Sequence, residues 1–187
     1  MIRSVFWRPL DEIGLEHLLL EGDNDGFHAD GAILQTKAGQ PFRVRYRIEA
    51  TPGWKMRACD IVVEAPRRLL LLRIDAGGRW RDEARGENLP GLADCREVDI
   101  QVSPFTNSLA IGRLALSPGQ SRDIEAAYIT VPELTLAPAS QRYTCLAPDR
   151  YRYEGLDTGF SVELPIDADG LVLDYPGLFR RVVGPND

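Results

Sequence analysis

The chain has 187 residues, 44% apolar and 27% charged, with 22 Lys and Arg against 28 Asp and Glu and so a formal net charge of −6. A single domain of this size buries a large core without a disulfide or metal staple, and the composition excludes long disorder and collagen. The acidic balance argues against a nucleic-acid partner, which would need a basic domain or patch.

The chain opens Met1-Ile-Arg-Ser-Val-Phe-Trp-Arg-Pro, without the apolar stretch of a signal peptide. Residues 16–21 and 27–36 read as a hairpin around Gly22-Asp23-Asn24-Asp25-Gly26. Residues 41–49 alternate strictly. Phe42, Val44, Tyr46 and Ile48 fall on one face, and Arg43, Arg45, Arg47 and Glu49 on the other. Thr51-Pro52-Gly53 turns the chain, and two further strands are predicted over 54–64 and 67–75, separated at Pro66. Residues 94–102 alternate again. The run 69–72 is the longest apolar stretch, far below the roughly 20 residues of a membrane-spanning helix. No integral membrane segment and a cytoplasmic location are therefore expected.

The segment 103–116 is the one stretch with helical character, centred on 106–114, with Thr106 or Asn107 as N-cap. Gly112 weakens it by about 1 kcal/mol relative to Ala. Strands are then predicted over 125–131, 134–137, 141–146, 150–154, 160–164 and 171–174, punctuated by prolines. Many short strands without intervening amphipathic helices predict an all-β fold. The expected form is a closed or nearly closed antiparallel β-barrel carrying one short helix. Ile74-Asp75-Ala76-Gly77-Gly78 and Ile166-Asp167-Ala168-Asp169-Gly170 echo each other 92 positions apart. Either turn chemistry recurs, or two duplicated halves, 1–102 and 117–187, are joined by the helical segment.

Signatures of catalysis are missing: no GxSxG, HExxH, SxxK or glycine-rich phosphate loop occurs. Cys59, Cys95 and Cys145 form no CxxC pair and read as reduced, buried thiols. His17 and His28 would need Glu16 or Asp30 to complete a metal site, and no motif places a third strong ligand. The expectation is no metal, no cofactor and no catalytic set. Arginines and aromatics on strands carry more information. Guanidinium forks bind anionic groups, and aromatic faces cover sugar rings. Arg45, Trp54, Arg113, Tyr143 and Tyr153 are candidates for a polar mouth, with Tyr46, Asp174 and Tyr175 completing the candidate ligand-binding set. The bland reading is that the arginine stripe pairs with acids across strands and solubilises the sheet.

The segment Thr106-Asn107-Ser-Leu109-Ala-Ile111-Gly-Arg113-Leu114 resembles the Thr-Asn-x-Leu-x-Ile-x-Arg-Leu pattern of a bacterial glycolipid-binding family, formerly a domain of unknown function. Gln141-Arg-Tyr143, Tyr151-x-Tyr153 and Gly170-Leu-Val172-Leu-Asp174-Tyr175-Pro176-Gly177-Leu178-Phe179-Arg180 agree as well, and Trp54-x-x-Arg57 is the best earlier landmark. Gly112 departs from the pattern, where a second Arg is expected. The resemblance implies an antiparallel barrel similar to bacterial lipoprotein carriers, non-covalent binding of a glycolipid-like amphiphile, and no catalytic residues. In that reading Val44, Ile48, Leu70, Leu72, Val162 and Leu164 line an apolar interior. A hydrolase using the same cavity and an interaction protein with a filled barrel are the alternatives. The oligomeric state has no signal in the sequence.

Overall fold

The computed structural model describes residues 2–183. Strands β1 (Ile2–Pro9), β2 (Gly14–Asp23), β3 (Gly26–Lys37), β4 (Gln40–Ala50), β5 (Met56–Glu64), β6 (Arg67–Ile74), β7 (Trp80–Asp82) and β8 (Glu87–Asn88) follow one another as antiparallel neighbours. After a short turn of 3-10 helix come β9 (Cys95–Ile100), helix α1 (Phe105–Leu114), β10 (Ser121–Ile129), β11 (Leu136–Ala147), β12 (Arg150–Gly155) and β13 (Phe160–Pro165). Strands β14 (Asp174–Tyr175) and β15 (Phe179–Val183) then return to the first sheet, where β15 pairs with β1.

The protein is thus mostly β with one helix, in a ten-stranded sheet ordered β14-β15-β1 through β8 and a five-stranded sheet ordered β13-β12-β11-β10-β9. Among the described residues no ladder joins the outer strands of either sheet. One expectation needs correction: β9 and β10 run parallel, not antiparallel. A parallel neighbour requires a crossover of a dozen or more residues, and the segment holding α1 supplies it. The helix also starts one residue earlier than expected. Pro104 is its N-cap, without a side-chain cap bond, while Thr106 and Asn107 are buried inside it. The Thr106 hydroxyl instead accepts from the Ile100 N–H (3.2 Å) and donates to the Ser103 carbonyl (3.0 Å), which ties the helix start to β9. Nothing in the period-2 reading marked β1 and β15 as strands. Likewise β11 runs unbroken through Pro138, where two strands were expected.

The large sheet follows its sequence pattern closely. Phe42, Val44, Tyr46 and Ile48 of β4 point inward, with Arg43, Arg45 and Arg47 outward. Register is held because a one-residue slip would exchange these faces. Helix α1 lies between the sheets: Phe105 and Leu109 pack into the core of the large one, Ala110 and Ile111 into the core of the small one. The interior of the large sheet is filled by protein side chains, its own together with Val98 and Ile100 of β9, Phe105 and Leu109 of α1 and Ala127 and Ile129 of β10. Val44, Ile48, Leu70 and Leu72 are packed core residues there, as Leu164 is in the second cluster, and none of them lines a ligand cavity. The echoed motifs form matching turns. Asp75 Oδ1 accepts from the Gly77 and Arg79 N–H groups, and Asp167 Oδ1 from those of Asp169 and Leu171. Gly78 and Gly170 sit at φ 79° and 78°, a conformation that favours glycine. No helix among the described residues is long and apolar enough to cross a membrane.

Candidate functional site

A cavity of ~550 Å³ opens where the N-terminal end of α1 meets the end of β9, the inner face of β10 to β12 and the β1–β2 turn. Its walls are aromatic. Tyr153 packs on Phe160 and Tyr175 with ring centroids 6.2 Å apart in both cases, and Tyr175 on Phe179 at 6.3 Å. These rings come together because β12, β13 and the β14–β15 hairpin converge at one end of the small sheet.

The polar groups converge on Asp99 of β9. Its carboxylate accepts from Gln141 Nε2 (2.6 Å) and from the Thr106 hydroxyl (3.3 Å). Burial raises the Asp99 carboxyl above the usual range, against the lowering effect of those bonds. The phenols of Tyr128, Tyr143, Tyr153 and Tyr175 are all pushed up, mainly by burial, with the Asp99 charge adding to each. They therefore stay protonated and serve as neutral donors at physiological pH. Tyr143 lies behind the wall, edge-on to Tyr153 at 5.4 Å, and donates its hydroxyl to Asn107 Oδ1 (3.0 Å).

Beneath the cavity a second acid is closed off. Glu16 Oε1 accepts from the Tyr46 hydroxyl (2.5 Å) and from the Ser103 hydroxyl (2.6 Å), and Ser103 itself faces the cavity. Glu16 Oε2 is buried without a hydrogen-bond partner. Burial pushes the Glu16 carboxyl up to about 7, despite both hydrogen bonds. Gly31 makes the arrangement fit: a Cβ there would lie 2.0 Å from the Tyr46 ring, its cross-strand neighbour.

The rim holds Asp11, Glu12, Asp157 and Lys37. Lys37 Nζ is taken by Glu133 (2.9 Å) and the Val131 carbonyl (2.8 Å), and no arginine lines the cavity. Carboxylate, amides and phenols beside aromatic faces suit hydroxyl groups and the C–H faces of a sugar. They do not suit an anion. Among the described residues, no three His, Cys, Asp or Glu side chains are grouped to hold a metal.

The eight sequence candidates therefore scatter. Tyr153 and Tyr175 line the cavity, Tyr143 backs it, and Tyr46 reaches it only through Glu16 and Ser103. Arg45 is exposed on the outer face of the large sheet, on the opposite side from Tyr46. Arg113, near the other end of α1, is bound through two nitrogens to buried Glu97. Trp54 sits in the β4–β5 turn against Phe27 and Gly112. Asp174 is half-buried, 3.9 Å from Arg180. Asp99, Gln141, Asn107, Tyr128 and Phe160 line the cavity but are not among the eight candidates; for Asp99, Gln141 and Tyr128, which lie on strands, period 2 cannot tell a cavity-facing polar residue from a solvent-facing one.

A family model described as "Putative glycolipid-binding" matches residues 4–181. The chain belongs to this family. The glycolipid-binding model spans both sheets and α1, and two stretches of its pattern meet at the cavity, through Asn107 and Tyr175. A crystal structure of a DUF1089 family protein from Pseudomonas aeruginosa is 36% identical, with a TM-score of 0.79, over 89% of this chain and 92% of that one. No curated protein matches the chain significantly.

Proposed function

We propose that the protein binds, without transforming it, an amphiphile with a neutral sugar head, the head entering the cavity at Asp99. The observation that carries this reading is the lining itself: a half-buried carboxylate held by Gln141, facing aromatic rings, with no free cation among the described residues. The two sheets act as walls of an interrupted barrel around α1. Because the interior of the large sheet is packed, the acyl chains lie along the mouth. Leu10 and Ile13, in the β1–β2 turn whose Asp11 and Glu12 line the cavity, are 42% and 81% exposed, and Phe160 of the cavity wall is 39% exposed. Covering each methylene contributes about 0.8 kcal/mol.

A titration of the purified chain with neutral and anionic glycolipids, read by calorimetry, tests the proposal. Saturable binding of a neutral glycolipid, weakened by Asp99→Asn, is the expected result. Preference for an anionic head, or no binding across the panel, overturns it. The raised Asp99 carboxyl is the one observation that favours a hydrolase instead, since a general acid needs a raised pKa. Mass spectrometry of the bound lipid separates the two readings: an intact glycolipid after incubation supports binding, and a released sugar supports hydrolysis.

A further inference from the structure

A second cleft, of ~680 Å³, lies by the C-terminal end of α1 and shares no lining residue with the sugar cavity. Lys55, Arg57, Arg96 and Arg113 line it, with Asp75 as the one acid among the described lining residues. In a chain of net charge −6 such a cluster runs against the overall balance and focuses a local positive potential.

Most of these cations lack a carboxylate partner. Lys55 and Arg57 are exposed, and their side chains make no hydrogen bond or ion pair among the described residues. Arg96 Nη1 donates only to the carbonyls of Ala93 and Cys95, 2.7 Å each. Its guanidinium lies against Gly78, 3.1 Å from where a Cβ would be, so the glycine leaves room for it. Arg113 alone is neutralised, by Glu97 below. Asp75 offers little competing charge to a ligand, because the backbone N–H groups of Gly77 and Arg79 and the Arg79 Nε (2.7 Å) occupy it.

Local backbone geometry presents these groups. Ala50 pairs with Met56 and Glu49 with Ala58, which leaves Arg57 as the extra residue of a β-bulge. Bulges re-aim a side chain out of the ladder. Trp54, just before, is held at φ 59°, an uncommon conformation for a bulky residue. Its ring covers Gly112, where a Cβ would come within 2.4 Å of it. The glycine that departs from the family pattern thus seats the tryptophan that fixes the turn carrying Lys55 and Arg57.

We propose that this cleft binds a multiply charged oxyanion, a phosphate or sulfate group, through Lys55, Arg57 and Arg96, with Arg113 as part of the wall. Fork-shaped guanidinium donors match tetrahedral oxyanions. Calorimetry of the full chain at low ionic strength, with inorganic phosphate and pyrophosphate, tests it. A second arm uses phosphatidylcholine vesicles with and without phosphatidic acid. The expected result is saturable, salt-sensitive binding in at least one arm, weakened tenfold or more by combined Lys55→Ala and Arg57→Ala and unchanged by Arg43→Ala. Binding of the free anions alone identifies a soluble phosphorylated ligand, and binding only to phosphatidic acid vesicles identifies a lipid head group. Absence of binding in both arms, or equal weakening by Arg43→Ala, overturns the proposal. Thermal melts check that the variants fold. Unchanged neutral-glycolipid binding in the double variant keeps this test separate from that of the sugar cavity.

Discussion

The two sheets use the same strand alternation toward different ends. In the large sheet the inward residues are mostly apolar, Glu16 and Asp82 excepted, and the outward ones mostly polar or charged, and the interior is a dense core around Trp7, Tyr46 and Ile48. In the small sheet the inward face is mixed: Gln141, Tyr143 and Tyr153 face α1 and the cavity, and the core retreats to Cys145, Tyr151 and Leu164. A face that keeps polar groups away from bulk water needs a partner for each of them. Most find one within the protein, as Asp99 does in Gln141 and Thr106, and aromatic rings line the cavity between them. The main core therefore lies behind the large sheet, with β9 and β10 packed into it, and the proposed recognition belongs to the cavity face of the small one.

The sharpest way to break this contrast is Trp7→Ala. Trp7 is fully buried and donates its indole N–H to the Val172 carbonyl (2.9 Å), so the change should cost about 3–5 kcal/mol. Urea unfolding measures this, and a small loss would mean that the large sheet is not the stabilising half.

Next in size is a pH dependence from the buried acid that joins the two regions. The Glu16 carboxyl rises from 4.5 in the unfolded chain to about 7 when folded, so the folded protein holds its proton more tightly. The stability this contributes is complete below pH 4.5 and is lost as pH climbs through 7, a fall on the order of 3 kcal/mol. Asp99, also raised, adds in the same direction. Unfolding midpoints at pH 5 and pH 8 should show the fall, and Glu16→Gln should reduce it. An identical slope in that variant would remove Glu16 as its source.

Smaller effects separate recognition from stability. Tyr153→Ala or Phe160→Ala should weaken neutral-glycolipid binding about tenfold, in keeping with the energies of aromatic stacking contacts, while shifting the urea midpoint far less than Trp7→Ala. Losses of stability without loss of binding would reverse the assignment of the two sheets. Smallest of all is Arg43→Ala. Its pair with Glu64 (3.0 Å) is exposed, so stability should move by less than about 0.5 kcal/mol. A larger change in thermal melting would mean that the outer arginine face does more than solubilise the sheet.

Legibility follows the same division. Strand β4 was readable residue by residue, because one of its faces meets core and the other meets water, and nothing else competes. Segment 103–116 was readable as helical, since its apolar spacing departs from two. Asp99 was not readable as a cavity residue: it alternates with Val98 and Ile100 as any solvent-facing acid would. Arg113 reads from the sequence as a residue of a polar mouth, but Glu97, sixteen positions earlier, is buried directly against it.

Local patterning was thus enough to reveal an all-β chain with one helix, the inner face of the large sheet and the outward arginine stripe, because burial against water imposes a period on the residues themselves. The parallel β9–β10 pair, the return of β15 to β1 and the meeting of Asp99, Gln141, Tyr153 and Tyr175 at one cavity depend on contacts between distant segments. Side-chain period carries no information about which strand comes next to which, and only the folded packing around α1 selects among those arrangements.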